Sequence, residues 1–227
     1  MSAGGNGDRS MSWRRALAPG EDHGFFENPG WWDARDLPRD DDDVPRLRAT
    51  LVRAFPPLPD GSGVLDLGAG TGTLVALLAG FYPALRYALI DASAAALARA
   101  ERKLAAVAPE LDVAFIAEAV DPTANEPLPG GPYRLATSSI ALHDIAKFAA
   151  SDDEAERARH RREHLRLLRR IFASLEPGGH LIYADAVRPR FRVIEHLDAL
   201  REAGFVEVDC AFAVGRFAVC GGQRPAR

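Results

Sequence analysis

The chain has 227 residues, of which 47% are hydrophobic and 26% charged, the proportions of an ordinary globular protein. Its 32 acidic and 28 basic residues give a net charge of −4, which excludes an overall basic surface for gripping nucleic acid. Two cysteines, Cys210 and Cys220, do not make a disulfide framework. The longest apolar stretch, 74–85, is shorter than the roughly 20 residues of a membrane span, so we expect a soluble cytoplasmic protein.

The N-terminal quarter differs in composition from the remainder. Residues 1–20 are small, polar and unpatterned, which predicts a disordered tail. Residues 21–59 form an aromatic-rich segment followed by a helix, and we interpret them as a lid. Leu47, Leu51 and Phe55 recur every fourth residue and predict one buried helix face, which two prolines then terminate.

From residue 60 the pattern alternates between strands and helices. Strands are predicted at 64–67, 86–91, 112–117, 133–139 and 180–187, and helices at 73–81, 93–108, 153–175 and 193–203. A loop rich in proline and glycine, 122–132, joins the third strand to the fourth. Two further strands, 205–214 and 216–222, are separated by one short turn and predict an antiparallel hairpin. The fold class is therefore α/β: a Rossmann-like, doubly wound, mostly parallel seven-stranded sheet over 60–223 with a C-terminal antiparallel hairpin.

The long helix at 153–175 contains a pattern that invites a metal-site interpretation. His160 and His164 fit the H-x-x-E-H spacing of some zinc proteases. The segment is saturated with charge, however, and the alternating pattern already explains it as an outer crossover helix that buries Leu165, Leu168 and Phe172. We predict no metal, and we expect its arginines to be solvated and paired with neighbouring glutamates.

A glycine-rich turn follows the first strand of this unit. Gly68, Gly70 and Gly72 let the backbone turn sharply and approach a ligand closely. Asp91 ends the next strand, 23 residues after Gly68, where a carboxylate can accept hydrogen bonds from ribose hydroxyls. A dinucleotide fingerprint requires a glycine at position 73, which is a threonine here. The acidic Asp66 instead suits a cofactor that carries an ammonium group and a sulfonium.

This turn, Asp66–Gly72, resembles motif I of the class I S-adenosylmethionine-dependent methyltransferases. The sequence ALIDAS at 88–93 is similar to the second motif of that family, and LEPGG at 175–179, followed by LIYAD, resembles a later one. The strand pair at 204–221 looks like the closing hairpin of the family. The resemblance covers most of 60–223 and implies S-adenosylmethionine as cofactor, with S-adenosylhomocysteine as product.

The resemblance also implies roles for individual residues. Asp66 and the backbone of Gly68, Ala69, Gly70 and Gly72 would hold the methionine end of the cofactor. Asp91 would bind the ribose diol, and Ala92 would pack on the adenine. Glu118 would lie near the adenine amine, with Ala119 and Asp121 as alternatives in register, and the backbone around Ser138 would line the methionine tail.

Methyl transfer requires a base only when the acceptor atom carries a proton of high pKa. Candidates lie at the carboxyl ends of the fourth and fifth strands: His143, Asp144, Asp185 and Tyr183. We favour His143, because imidazole titrates near neutral pH. A structural or substrate-lining role for His143 is the alternative.

The acceptor would be covered by side chains from outside the core strands. Phe25, Phe26, Trp31 and Trp32 precede the core and either shield the site or simply pack, and His143 and His196 are the other candidate contacts. The link between the fifth strand and Val193 is too short for a lid of its own. The pocket then depends on the N-terminal segment, the helix of His196 or a second subunit.

We interpret the chain as a methyltransferase for an oxygen or nitrogen of a small molecule. The alternatives are a cofactor-binding module without methyl transfer, a transferase for another group of the same cofactor, and a tRNA or protein methyltransferase. The fourth strand leads into Ser138–Asp144 rather than the N/D-P-P-Y typical of adenine or glutamine methylases, which argues against a nucleic-acid partner. A monomer and a homodimer both remain open.

Overall fold

The computed structural model describes residues 43–146, 153–189 and 191–227. The predicted tail and the aromatic part of the predicted lid lie outside these ranges. Along the described residues the elements are α1 (Asp43–Arg53), β1 (Gly63–Leu67), α2 (Thr73–Ala79), β2 (Arg86–Asp91), α3 (Ala94–Val107), β3 (Asp112–Ala117), β4 (Tyr133–Ser139), α4 (Leu142–Ile145), α5 (Glu154–Ser174), β5 (Leu175–Ala186), α6 (Val193–Ala203), β6 (Val206–Val214) and β7 (Phe217–Gln223).

The strands form one seven-stranded sheet in the order β3-β2-β1-β4-β5-β7-β6. Strands β1 to β5 pair in parallel, whereas β7 runs antiparallel to both of its neighbours, β5 and β6. The predicted doubly wound sheet with a C-terminal hairpin is confirmed. The order reverses between β1 and β4, and the crevice at such a point, beyond the carboxyl ends of the strands, is where open α/β sheets bind ligands.

Helices cover both faces of this sheet. Helices α1, α2 and α3 pack on one face, where the predicted stripe of Leu47, Leu51 and Phe55 is buried as expected. Helices α5 and α6 pack on the other face, around Leu168 and Leu200. All five residues of β1 are buried, as expected for a central parallel strand covered on both faces. No helix in the described ranges combines the length and apolar composition that crossing a bilayer requires.

Strand β5 is longer than the sequence predicts. The segment 176–179 was expected to separate helix from strand, but it lies inside β5 as an irregularity. Gly178 adopts a φ of +77°, and a side chain on Gly179 would meet the carbonyl oxygen of Glu176 at 2.9 Å. The two glycines therefore let the strand continue through a local kink. In the sequence, the same residues are typical of a break between two elements.

Helix α5 is rotated relative to the predicted orientation. Leu168 is fully buried as predicted, but Leu165 and Phe172 lie at the margin of the core, half-buried. His160 and His164 instead face the interior, with 4% and 0% of their surface exposed. The apolar stripe permitted either orientation, and packing against α6 and Phe191 selects the one that buries the histidines.

Candidate functional site

The glycine turn lies at the carboxyl end of β1, in the middle of the sheet. Gly68, Gly70 and Gly72 all have positive φ angles, of 70°, 53° and 73°. The N–H groups of Gly68 and Ala69 both donate to the carbonyl oxygen of Ile90, at 2.8 and 3.1 Å, which ties the turn to β2. Because L-residues with side chains rarely adopt this conformation, the turn requires the glycines that mark it in the sequence.

The three glycines differ in what surrounds them. A Cβ at Gly68 would lie 2.3 Å from the Cβ of Ala141, and one at Gly72 would lie 2.8 Å from the Cβ of Ala100. A Cβ at Gly70 would meet nothing within 4 Å. Gly68 and Gly72 are thus needed for packing, whereas Gly70 exposes bare backbone to an open space in which a ligand can approach closely.

Asp91 is held against this turn by two backbone donors. The N–H of Gly70 donates to Oδ2 and the N–H of Ser93 donates to Oδ1, both at 2.8 Å. Burial raises the pKa of Asp91, and these two hydrogen bonds oppose the rise. The carboxylate is thereby oriented at the edge of the sheet with acceptor capacity left for hydroxyl groups. Ala92, next to it, is exposed.

Asp66 lies beneath the turn, on β1, with only 1% of its surface exposed. Neither carboxylate oxygen has a hydrogen-bond partner among the described residues. Thr137, directly opposite on β4, is fully buried and its hydroxyl also lacks a partner there. Burial raises the pKa of Asp66 to about 7, with the charge of Arg48 opposing the rise and that of Asp91 adding to it. Such unsatisfied acceptors suit a bound ammonium group.

The remaining predicted cofactor residues surround the same edge. The hydroxyl of Ser138 donates to the carbonyl oxygen of Leu67 at 2.7 Å, which holds the end of β4 next to the glycine turn. Glu118 and Ala119 are exposed just beyond β3, and the N–H of Glu118 donates to the carbonyl oxygen of Asp91 at 3.0 Å. These positions fit the adenosine side of the predicted site.

Asp121, the alternative to Glu118, is engaged in a turn of its own. Its Oδ1 accepts hydrogen bonds from the N–H and the hydroxyl of Thr123, both at 2.7 Å, and these bonds lower its pKa. Glu118 and Ala119, whose backbone lies directly beside Asp91, are therefore the better placed of the candidates.

His143 and Asp185, predicted separately from two loops, meet at this edge. Nδ1 of His143 lies 2.6 Å from Oδ1 of Asp185, and the backbone N–H of His143 donates to Oδ2 at 3.0 Å. Asp144 approaches Nε2 of the ring to 3.4 Å. His143 and Asp185 thus form a hydrogen-bonded pair, in which the buried carboxylate orients the imidazole.

Electrostatics in this pair stabilise the charged imidazolium. Burial tends to lower the pKa of His143, but the charge and hydrogen bond of Asp185, together with the charge of Asp144, outweigh it, so the pKa is raised. Burial tends to raise the pKa of Asp185, and His143 reverses this, so the pKa of Asp185 is lowered. Asp185 therefore remains ionised while His143 titrates.

A strained turn brings His143 to this position. Ile140, between β4 and α4, has a φ of 60°, which is rare for a β-branched residue and costs of order 1–3 kcal/mol. Its N–H donates to the carbonyl oxygen of Ala184 at 2.7 Å, which fixes the turn against β5. The strain is concentrated where the chain must fold back to place an imidazole over Asp185.

Tyr183 and His196 lie in the core instead of at an open surface. The hydroxyl of Tyr183 lies 3.0 Å from Nδ1 of His196, whose Nε2 lies 3.2 Å from the carbonyl oxygen of Ala186. Since that carbonyl can only accept, Nε2 donates and Nδ1 accepts the tyrosine proton. Burial raises the pKa of Tyr183 well above its usual value, which argues against it as the base. The contact of His196 with the acceptor stays a prediction.

Two further predictions concern the aromatic residues that would cover the acceptor and the absence of a metal site. Phe25, Phe26, Trp31 and Trp32 lie outside the described residues. Within the described ranges, no group of three His, Cys, Asp or Glu residues is arranged to hold a metal ion.

Sequence reasoning missed two residues of the site, Arg48 and Thr137. Nε of Arg48 donates to the hydroxyl of Ser139 at 3.3 Å. The helical spacing of Arg48 could have located it. Arg48 precedes Leu51 and Phe55 by three and seven residues and so shares the core-facing side of α1. For Thr137 only its register opposite Asp66 is informative.

A family model described as a methyltransferase domain matches residues 40–208, more than half of the chain. No curated protein sequence matches significantly. Among solved structures, the S-adenosylmethionine-dependent methyltransferase SibL in its apo form is 23% identical, with a TM-score of 0.62 over 94% of this chain and 61% of SibL. PigF with SAH is 21% identical, with a TM-score of 0.63 over 95% of this chain and 65% of PigF. The [4+2]-cyclase SpnF is 18% identical, with a TM-score of 0.58 over 80% of this chain and 81% of SpnF.

At these identities the structural likeness concerns the fold, and the chain spans less than two thirds of the length of SibL and PigF. The family match and the strand order agree with each other. The chain belongs to the methyltransferase-domain family and has the fold of the class I S-adenosylmethionine-dependent methyltransferases.

Proposed function

We propose that this chain transfers a methyl group from S-adenosylmethionine to an oxygen or nitrogen atom of a small-molecule acceptor. Membership of the methyltransferase-domain family supports methyl transfer. The observation that carries the choice of acceptor atom is the His143–Asp185 pair, with Nδ1 2.6 Å from Oδ1, at the same sheet edge as the glycine turn. An imidazole held in this way is a base for acceptors that must lose a proton.

The residues at the carboxyl ends of β1 and β2 fit the donor. The bare backbone at Gly70 admits a ligand, Asp91 offers acceptors for the ribose hydroxyls, and the unsatisfied oxygens of Asp66 suit the ammonium group. When bound, the donor supplies a methyl group that its sulfonium has already activated. The protein's task is then to position the acceptor atom in line with that methyl group and to exclude water.

His143 performs the proton chemistry in this proposal. Its Nδ1–H donates to Asp185, which leaves Nε2 as the basic nitrogen of the neutral ring. Nε2 would accept the proton that an acceptor hydroxyl or amine loses on methylation, and S-adenosylhomocysteine would be the leaving group. The resulting imidazolium is stabilised by the buried carboxylate of Asp185 and by the nearby Asp144.

A panel of phenols, amines and carboxylic acids, incubated with S-adenosylmethionine, tests the proposal when methylated products and S-adenosylhomocysteine are measured by mass spectrometry. With an active acceptor, we expect His143→Ala to lose at least about tenfold in turnover while it retains affinity for S-adenosylhomocysteine. His180→Ala is the matched control, because that histidine lines a separate cavity of about 160 Å³ that includes none of the site residues. An unchanged rate in His143→Ala would remove this residue from the mechanism.

The same panel separates the alternatives. Donor binding without any methylated product would indicate a binding module, or a reaction of another kind such as the cyclisation named for SpnF. Transfer of a different group from the donor would appear as another mass increment. Methylation of added tRNA or protein, with every small molecule inert, would overturn the choice of acceptor class.

A further inference from the structure

The two cysteines of the chain face each other across the C-terminal hairpin. Cys210 on β6 lies directly opposite Cys220 on β7 in the antiparallel register. Cys220 belongs to the core on the α5 and α6 side of the sheet, and Cys210 packs against the same core, so the two side chains project from one face. They are the only cysteines in the sequence, and both are free thiols.

This register nearly meets the distance requirements of a disulfide. Directly opposite residues of an antiparallel pair have Cα atoms about 4.5–5.5 Å apart, and a disulfide accepts Cα separations of about 4.4–6.8 Å. The requirement on the Cβ atoms is tighter, because opposite Cβ atoms are about 4.5–5.5 Å apart and a disulfide needs about 3.5–4.5 Å. A small approach of one strand toward the other therefore suffices to bring the sulfur atoms within bonding distance.

The position of β6 in the sheet permits this approach. Strand β6 is an edge strand with β7 as its only neighbour in the sheet, whereas β7 is held between β5 and β6. The register between β6 and β7 shifts on both sides of Cys210, over 206–209 and over 210–212. Such irregularities bend a strand locally. Strand β6 can therefore change its path around Cys210 without displacing a second neighbour.

The two thiols differ in their access to solvent. Cys210 is partly exposed, and its thiol donates a hydrogen bond to the carbonyl oxygen of Phe212 at 3.3 Å. Cys220 is buried, with 1% of its surface exposed. Burial raises the pKa of the Cys220 thiol, and the neighbouring Cys210 adds to the rise. A thiol reagent in solution therefore reaches Cys210 first, while Cys220 is shielded from direct attack.

We propose that Cys210 and Cys220 form a two-electron redox site, in which hydrogen peroxide converts the two thiols into a cross-strand disulfide. The sulfur of Cys210 attacks one peroxide oxygen, the O–O bond breaks, and one water leaves as Cys210 becomes a sulfenic acid. The sulfur of Cys220 then attacks the sulfur of Cys210. The S–S bond forms, the S–O bond breaks, and the thiol proton of Cys220 leaves with the hydroxyl group as a second water. Two thiols are thereby oxidised while one peroxide is reduced to two waters.

Peptide mapping after oxidation tests this proposal. The folded full-length protein is treated with hydrogen peroxide, alkylated to block the remaining thiols, and digested with trypsin without reduction. Cleavage after Arg216 separates the cysteines into the peptides 202–216 and 217–227, since the bond after Arg224 precedes a proline and stays intact. We expect these two peptides to be joined, with a mass about 2 Da below the sum of their free forms, and to separate when dithiothreitol is added. Neither peptide contains a methionine, so methionine oxidation does not interfere.

Three variants separate the effect of strand register from closeness in sequence. Cys210→Ser and Cys220→Ser each remove one sulfur atom and should give no joined peptides. The third, the moved-thiol variant, combines Cys210→Ser with Val214→Cys. Its new thiol lies opposite Phe217, about 10 Å along the hairpin from Cys220. When folded, as verified by circular dichroism, it should give at least about tenfold less joined peptide than the wild type. In urea, where register no longer matters, the two proteins should give similar amounts.

Joined peptides in the folded wild type, absent from both serine variants and strongly reduced in the moved-thiol variant, support the inference. Sulfinic acid on Cys210 with Cys220 still a thiol would overturn it, as would a disulfide between the Cys210 residues of two chains or no reaction at all. Equal joining in the folded wild type and the folded moved-thiol variant would overturn it too, because register would then not determine the reaction. None of these outcomes depends on methyl transfer, so this inference and the proposed function fail separately.

Discussion

Asp66 is buried in β1, and neither of its carboxylate oxygens has a hydrogen-bond partner among the described residues. Its folded-state pKa of about 7 lies above the usual value of 3.8, so the folded protein holds this proton more tightly than the unfolded chain does. By linkage, the free energy of unfolding is highest at low pH with respect to this group, and it falls as pH rises from about 4 through about 7. Above pH 7 the folded, ligand-free protein carries an unsatisfied buried charge.

Asp66→Asn should therefore stabilise the ligand-free protein at pH 8 by about 1–3 kcal/mol, because a buried amide costs less than a buried carboxylate without partners. At pH 5 the folded carboxyl is neutral but the unfolded one is already mostly ionised, so the difference should be smaller than at pH 8 without vanishing. Urea denaturation of both proteins at the two pH values measures this. A difference in stability that does not change with pH would show that Asp66 titrates normally.

The second prediction concerns the pH dependence of kcat/KM, which depends on the pKa of His143. In the proposed reaction the neutral imidazole is the active form. Asp185 and Asp144 raise the pKa of His143 above 6.5, so kcat/KM should fall as pH decreases through a value above 6.5. In Asp185→Asn the carboxylate that raises this pKa is absent. We expect the apparent pKa in the pH profile of that variant to shift downward, with a reduced rate at its optimum. An unshifted profile would contradict the pairing.

The positions of candidate site residues were predictable from the sequence where these residues lie near a recognisable turn. Their spacing predicted that Asp66, Asp91 and the glycines lie near the ends of two strands, and His143 and Asp185 were likewise predicted near strand ends; the structure places them there. The contact between His143 and Asp185 was not predictable, because it depends on a positive φ at Ile140 and on the relative height of two strand ends. Periodicity carries no information on either.

At the level of elements, the glycine turn offers a matched pair of substitutions. Gly68→Ala places a methyl group against Ala141 and should cost about 3 kcal/mol in stability, since it combines backbone strain with a clash. Gly70→Ala meets no neighbour and should cost only about 1 kcal/mol, the price of a positive φ. Its methyl group points into the open space, so it should nevertheless weaken S-adenosylhomocysteine. Chemical denaturation and calorimetry measure the two effects.

The turn would be misassigned if the two variants behaved in the opposite way. A stable Gly68→Ala protein would mean that Ala141 and α4 do not pack on the turn. A Gly70→Ala protein with full ligand affinity would mean that the open space beside Gly70 is not the ligand site.

The existence and type of the main elements were predictable, because alternating buried strands and amphipathic helices have distinct periods. Three details of these elements were not predicted. Helix α5 has apolar residues on two adjacent flanks, so its rotation was decided by packing, which buries His160 and His164. The kink in β5 at Gly178 reads as a helix-to-strand break, and α4 is too short, at four residues, to produce a periodic signal.

At the scale of the whole molecule, strand order determines where chemistry can occur. The chain leaves β1 toward β2 and β3, and then returns to place β4 and β5 on the other side. Asp66, Asp91 and the His143–Asp185 pair lie at or just after the carboxyl ends of strands on the two sides of this reversal. The mostly parallel sheet with its terminal hairpin was predictable from the alternation of strands and helices, whereas the N-terminal helix was placed correctly only as a buried helix and its contribution of Arg48 was not foreseen.

The proposed function requires the crevice at the carboxyl ends of these strands to hold the adenosyl and methionyl parts of one ligand. Titration of the folded full-length protein with S-adenosylhomocysteine in a calorimeter tests it most directly, with NAD as the competing dinucleotide. We expect saturable binding of S-adenosylhomocysteine at one site per chain and no binding of NAD. Saturable binding of NAD alone, or no heat with S-adenosylmethionine and S-adenosylhomocysteine in a protein shown to be folded, would contradict it.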